Sequence, residues 1–351
     1  MHIIQLDLLN LRVFEQLQVT FTPQINVLTG KNGRGKTSVL EAIHLLAYGR
    51  SFRATHHEAY IRHRASHCTI HAQICSKNDQ NVSIGVERYQ TGEKNVFIKG
   101  LDRGAQREIS RQLPMILVNQ QSFDLLEGGP EARRRFMDWG MFHVEHFYED
   151  LWRKYTRCLK QRNQLLKQGA SKAALSAWTL ELASCGELLS EARQRFVAAF
   201  LPFFQETLTN LLPTPLHVGI RYLPGWEGGS LGEALDAAYI ADRHLGYTTV
   251  GPQRADLDFH LLGQKAQQVL SRGQQKMFVL SLYLALGAFF AARRDEHPIY
   301  LLDDVFVELD AQNRGILSQV INQVSAQFIV TVHEDETVHQ SGIRVGQVVA
   351  I

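Results

Sequence analysis

The sequence predicts an α/β fold assembled from both ends of the chain around a helical middle, and three observations carry that expectation. An apolar run at residues 25–28 leads into the glycine-rich stretch 30–37 (GKNGRGKT) and then SVLEAIHLLAYG, which read as strand, phosphate loop and helix. Far along the chain a second short apolar run, residues 298–302 (PIYLL), ends in Asp303 and Asp304. Between them, residues 142–212 show helical periodicity and little β character. The expected division is therefore 1–140 for the first part of a nucleotide-binding head, 141–212 for a helical arm, and 213–351 for the second part of the head.

The loop fills every fixed position of G-x-x-x-x-G-K-S/T. Gly30, Gly33 and Gly35, with Lys31, Asn32 and Arg34 between them, let successive backbone N–H groups converge on phosphate oxygens at the positive end of a helix. Lys36 is then expected to reach the β- and γ-phosphates of ATP, and Thr37 to ligate Mg2+. A chance glycine turn is the competing meaning, and the flanking strand and helix count against it. Next come segments 68–74, 82–88 and 96–99, which suggest an antiparallel lobe with Thr91-Gly92 as a hairpin turn. His56, His57, His63, His67 and His71 in this region invite a metal reading. No H-E-x-x-H or paired C-x-x-C frame accompanies them, and His67 and His71 stand wide apart on one strand face, so zinc is not expected.

Within the middle region, residues 150–168 place Leu151, Tyr155, Cys158, Leu159, Leu165 and Leu166 on one helical face. QGASK supplies a turn, and Leu175, Trp178, Leu182, Cys185, Leu189, Ala192, Phe196, Ala199 and Phe203 then recur at spacings of three and four. This predicts an antiparallel helical hairpin whose seam is kinked or ended by Pro202. Arg153, Arg157, Lys160 and Lys167 fall within about 80° on the side opposite the apolar stripe, over about 21 Å of helix. Such a face suits the phosphates of duplex DNA, with an ordinary solvated face as the competing meaning. The Arg133-Arg134-Arg135 run could pair with acids, bind phosphate or cover a hinge.

The last third supplies a second half-site. Ser271 and Gly273, within Leu270-Ser271-Arg272-Gly273-Gln274-Gln275, open a helix and could present a hydroxyl and N–H groups to another phosphate, although Ser271 could equally be a plain N-cap. The apolar stretch 277–292 falls short of the roughly 20 residues that span a bilayer and reads as a buried helix. Asp303 and Asp304 at a strand end would hold Mg2+ and orient or deprotonate the attacking water, respectively. A plain surface turn is the alternative for them.

Composition bounds the rest. A chain of 351 residues with 45% hydrophobic content is neither disordered nor fibrous, and a net charge of +2 from 37 basic against 35 acidic residues does not by itself announce a nucleic-acid partner. Cys68, Cys75, Cys158 and Cys185 lack C-x-x-C spacing, and Asp7, Asn10 and Arg12 interrupt the apolar N-terminus, so a reducing cytoplasmic setting is expected.

LSRGQQK resembles the LSGGQ signature of the ABC ATPases, and the whole series resembles the RecF family, which is related to the SMC proteins. That series is LLNLRVFEQLQVTF, the phosphate loop with its helix, EGGPEARRRFMDWG, GPQRADLDF, LSRGQQK and LLDDVFVELD, in that order. The resemblance implies an ABC-type head of mixed sheet plus antiparallel lobe, and an ATP-sandwiched homodimer in which Ser271, Gly273 and Gln274 face the partner's nucleotide. It places Arg12 on a nucleotide phosphate and Gln121, or its neighbour Gln120, in the glutamine loop. It further implies binding to duplex DNA beside single-stranded gaps, with RecR and RecO as partners in loading RecA. Asp304 stands where a glutamate is usual, which suggests slow hydrolysis; Arg272 replaces a signature glycine. Val307, before Glu308-Leu309-Asp310, replaces a small hydroxyl residue, and His333 is a candidate switch histidine. The alternative is a transporter-type ATPase subunit driving a membrane partner, against which the basic hairpin argues. An ATP-gated scaffold with negligible turnover is a third reading.

Overall fold

The computed structural model describes residues 1–78, 80–99, 106–212, 218–307, 309–332 and 342–351. Two compact units divide it, Met1–Ser122 with Lys276–Ile351, and Phe123–Gln275.

The first unit opens with β1 (His2–Leu11), β2 (Phe14–Thr20), β3 (Ile25–Thr29) and α1 (Lys36–Tyr48). It continues with β4 (His67–Cys75), β5 (Asn81–Tyr89), β6 (Lys94–Ile98), α2 (Gln106–Gln112) and β7 (Met115–Val118). The expected lobe is a five-stranded antiparallel sheet in the order β2-β1-β4-β5-β6. Gly92 makes the β5–β6 turn with φ of 90°, a left-handed conformation that a side chain resists. Along β1 a bulge between Ile3 and Gln5 shifts the alternation, so that Ile3, Leu6 and Leu8 turn inward, and Leu11 is buried after Asn10, whose φ is 52°.

The second unit begins with α3 (Asp124–Glu127), α4 (Pro130–Val144), α5 (Tyr148–Lys167) and α6 (Lys172–Leu211). After these come β8 (Val218–Leu223), α7 (Leu231–Ala237), α8 (Tyr239–Leu245), β9 (Asp256–Leu261), β10 (Gln264–Lys265), α9 (Ala266–Val269) and the start of α10 (Arg272–Arg294). The predicted hairpin is α5 and α6. Gly169 turns the chain with φ of 71°, and the Ser171 hydroxyl accepts from the Ala174 N–H to cap α6. Tyr155, Cys158, Leu166, Leu175, Leu182, Cys185 and Leu189 are buried along the seam.

Pro202 does not end the seam: α6 runs from Lys172 to Leu211 with Pro202 inside it. Pro202 lies on the exposed side with Ala198, so the carbonyl that loses its usual N–H partner has water instead. Phe196, Phe200 and Phe204 stack along the opposite side with centroids 5.8 and 6.1 Å apart and carry the helix past the proline.

Chain returning to the first unit forms β11 (Ile299–Leu302), α11 (Ala311–Gln323), β12 (Phe328–Thr331) and β13 (Gln347–Ala350). With β3 and β7 they make a parallel sheet in the order β13-β3-β12-β11-β7. β3, β11 and β12 are buried at every position, Asn26, Thr29 and Thr331 included, as strands covered on both faces should be. Val39, Leu40, Ile43 and Leu46 of α1 pack in one core with Ile3, Leu6, Ile70 and Ile84 of the antiparallel sheet and Leu28, Ile299, Leu301 and Ile329 of the parallel one. The phosphate-loop helix is therefore clamped between two sheets. By length and composition α10 could cross a bilayer, but Met277, Phe278, Leu280, Leu282, Leu286 and Phe290 are buried in protein.

Candidate functional site

Parallel strands that end together bring their following loops to one edge, and here β3 delivers the phosphate loop while β11 delivers the acids. Gly30, Gly33 and Gly35 have φ of 143°, 79° and 112°. At Gly30 a Cβ would collide with the backbone of Ile351, and at Gly35 with the ring of Phe14. Lys31, Asn32, Gly33 and Arg34 are exposed, whereas Lys36 is buried and folds its ammonium back to donate to the Gly30 carbonyl and, at 3.3 Å, to that of Lys31.

The Thr37 hydroxyl donates to Asp303 Oδ1 at 3.0 Å, joining the loop to the acid strand. Thr331 on β12, a residue the motifs did not single out, completes the junction. Its Oγ1 lies 3.0 Å from Asp303 Oδ1 and 3.2 Å from Asp304 Oδ1, and it accepts from the Asp304 N–H at 2.8 Å. Asp304 itself has φ of 53°, a strained setting for a residue with a side chain. Burial pushes the Asp303 carboxyl above its ordinary value, against the hydroxyls of Thr37 and Thr331; the neighbouring Asp304 charge pushes the same way as burial. A hydroxyl beside a half-desolvated carboxylate fits a hard divalent cation that keeps waters and shares phosphate oxygens. Among the described residues no group of three or more His, Cys, Asp or Glu side chains could hold a metal ion. The histidines find other partners: His71 meets Asp7 at 3.2 Å and Ser83 at 2.6 Å, and His67 stacks on Tyr89.

Arg12 also lies in this unit, with its guanidinium bound to the buried Glu41 of α1. Gln120 and Gln121 stand exposed in a single helical turn after β7. Val307 is exposed, and Glu308 and His333 lie outside the described residues.

In the second unit Ser271 and Gln274 form a reciprocal cap on α10. Gln274 N–H donates to the Ser271 hydroxyl at 3.4 Å, and Ser271 N–H donates to Gln274 Oε1 at 2.9 Å. The plain-cap reading of Ser271 thus describes this geometry, and its hydroxyl hydrogen stays available to a ligand. Along α5, Arg153, Arg157, Lys160 and Lys167 are all exposed as the periodicity predicts, Arg153 lying 3.6 Å from Glu149. Arg162, on the same helix, is instead fully buried and joins Asp242 at 2.7 Å and Thr248 at 2.7 Å. The arginine run resolves toward pairing: Arg133 grips Asp256 through two bonds of 2.6 and 3.1 Å, and Arg134 donates to the Ala255 carbonyl at 2.8 Å. Arg135 stays exposed.

A glycine loop and paired acids at one edge of a parallel sheet, with an antiparallel sheet on the other side of the loop helix, define a phosphate-loop nucleotide-binding head. The RecF/RecN/SMC N terminal domain model matches residues 2–350. The DNA replication and repair protein RecF of Marinomonas sp. (strain MWYL1) is 39% identical over 339 residues, 96% of this chain and 92% of that one. Its counterpart in Pseudomonas aeruginosa (strain UCBPP-PA14) is 38% identical over 312 residues, covering 88% and 84%. Among solved structures, the recombination mediator protein RecF-ATPrS in the RecFOR pathway superposes with a TM-score of 0.88 at 21% identity, covering 100% of this chain and 96% of that one. The Smc head bound to the C-winged helix domain of ScpA reaches 0.59 at 16% identity, covering 97% and 91%. The chain belongs to the RecF family, within the RecF/RecN/SMC group.

Proposed function

We propose that this chain is an ATP-dependent DNA-binding protein that dimerises on ATP, binds duplex DNA at single-strand gap junctions and assists RecA loading in recombinational repair, with slow ATP hydrolysis. The observation that carries the reading is the Thr37–Asp303 junction at the edge where the phosphate loop and the acid strand end together. Solved structures described as RecF-ATP and RecF-ATPrS in the RecFOR pathway support ATP as the nucleotide and a place in that pathway; RecR and RecO are the partners this reading takes.

In this reading Lys36 leaves the Gly30 carbonyl for the β- and γ-phosphates, while Gly30, Lys31, Asn32, Gly33, Arg34 and Gly35 wrap them with backbone N–H groups. Thr37 and Asp303 would hold Mg2+, which would supply neutralisation of the phosphate charge. Asp304, with Gln121, orients the attacking water; its side chain is one methylene shorter than the usual glutamate, so water sits farther from the base and turnover is slow. Arg12 touches phosphate, and Ser271, Gly273 and Gln274 of one protomer close on the nucleotide of the other. Loss of the γ-phosphate releases the pair. The arm, 141–212, lays Arg153, Arg157, Lys160 and Lys167 along duplex phosphates. The protein works in the cytoplasm without a membrane partner.

Sedimentation with and without ATP and duplex DNA, on wild type and Lys36→Ala, tests this. A nucleotide-dependent dimer that Lys36→Ala abolishes is expected; a monomer under every condition overturns the sandwich. The transporter-type alternative is not favoured, since the curated relatives at this level of identity are DNA replication and repair proteins.

A further inference from the structure

Glu41 is four residues beyond Thr37 on α1 and so shares its face of the helix. Its side chain is wholly buried, a costly place for a carboxylate unless its oxygens are satisfied. They are satisfied from two directions. Arg12 Nη2 donates to Oε1 at 2.6 Å and Arg12 Nε to Oε2 at 2.7 Å, a two-pronged grip. The Ser51 hydroxyl donates to Oε1, and the Arg53 guanidinium lies 3.8 Å from Oε2. Ser51 is in turn held in the loop after α1, where its oxygen accepts from the N–H groups of Arg53 and Ala54 at 2.9 Å each.

The grip leaves Arg12 with donors to spare. Its third bond runs from Nη1 to the Ala59 carbonyl at 2.5 Å. A guanidinium has five N–H groups, so two remain, one on each terminal nitrogen. The side chain keeps 20% exposure and those donors can meet solvent or a ligand. The backbone is fixed as well: Arg12 has φ of 54° and donates its N–H to the Tyr60 carbonyl at 2.8 Å. A left-handed arginine tied at both backbone and fork is an arrangement that aims a planar cation.

We infer that Glu41 is a positioning residue that presents the Arg12 fork to a phosphate of the bound nucleotide, fixing Arg12 to the same helix that carries Lys36 and Thr37. This rests on the proposed contact between Arg12 and the nucleotide. Because Glu41 is on the loop helix, its grip sets the distance between the loop and Arg12 before ATP arrives, so binding spends little on ordering that side chain.

The test is a double-mutant cycle on ATP affinity, measured by calorimetry on the full chain at fixed Mg2+, with Glu41→Gln and Arg12→Ala singly and together. Glu41→Gln keeps the shape but sets an amide against the guanidinium, and should weaken ATP binding about tenfold in the wild-type background. In the Arg12→Ala background the same change should do nothing, because the residue it positions is gone. An equal loss in both backgrounds makes Glu41 merely structural and overturns the inference, as does an unchanged affinity in Glu41→Gln. Should Glu41→Gln not fold, Glu41→Asp, which keeps the charge and withdraws it by one methylene, runs in the same cycle with the same outcomes. Lys36→Ala reports separately on nucleotide binding: a wild type that binds no ATP overturns the functional reading, whereas ATP binding lost in Lys36→Ala but unaltered by Arg12→Ala overturns the Arg12 contact and the inference with it and leaves the phosphate loop's role standing.

Discussion

Asp303 sits in a setting that favours its protonated form more than the unfolded chain does. Burial holds its carboxyl above the ordinary value of 3.8 despite two hydroxyls. Between that value and the raised one the folded chain binds the proton that the unfolded chain has released, so this group makes stability fall as pH rises through the window. At neutral pH the carboxylate is a standing cost. Asp303→Asn should therefore raise the thermal midpoint of the nucleotide-free chain while abolishing Mg2+-dependent ATP binding; a lowered midpoint would contradict the burial account. Gly35 makes the opposite case. With φ of 112° and the Phe14 ring where a Cβ would go, Gly35→Ala should destabilise the chain by more than about 1 kcal/mol, read from urea unfolding. The motif names Gly35 for phosphate access, and the fold adds a packing reason that the motif does not contain.

At the scale of the element, α5 shows what periodicity can and cannot tell. Its amphipathic pattern gives the buried seam and the exposed Arg153, Arg157, Lys160 and Lys167 correctly, because both depend only on 3.6 residues per turn. Arg162 falls about 180° from Arg153, within the apolar stripe, so the pattern already turns it inward; what the pattern does not contain is its partner Asp242, 80 residues away. Arg162→Met should cost about 3–5 kcal/mol by stranding a buried carboxylate, and adding Asp242→Leu should recover much of it. Arg153→Ala with Arg157→Ala should leave stability alone, since both are exposed, yet weaken duplex binding and lower its salt slope by about two units. An unaltered slope returns the face to solvent. In α6 the proline does not end the helix, and the aromatic stack of Phe196, Phe200 and Phe204 packs along the other side of the same turns.

Across the whole molecule, the legible part of the fold is the part set by local chemistry: the glycine loop, the acid-ended strand, the three lobe strands and the hairpin. Strand order was not legible, because the interposition of β12 between β3 and β11 depends on pairings remote in sequence. Thr331 and Glu41 were hidden for the same reason. Each is an ordinary residue in its own segment and becomes part of the site only when strands and loops from elsewhere arrive beside it. Net charge of +2 likewise conceals a charge pattern that is resolved only helix by helix. Dimerisation on ATP is the prediction that belongs to this scale, and its sedimentation signature should vanish with Lys36→Ala.

β3 takes β12 as one neighbour, with Asn26 bonded to Phe328 across 302 residues of chain. On a ribosome adding about 5–20 residues per second, the strand that feeds the phosphate loop would wait roughly 15–60 s for its partner to be made. Nascent chains stalled before β12 should consequently fail to retain ATP, and the phosphate loop would gain its neighbouring strand only after residues 328–331 have been synthesised.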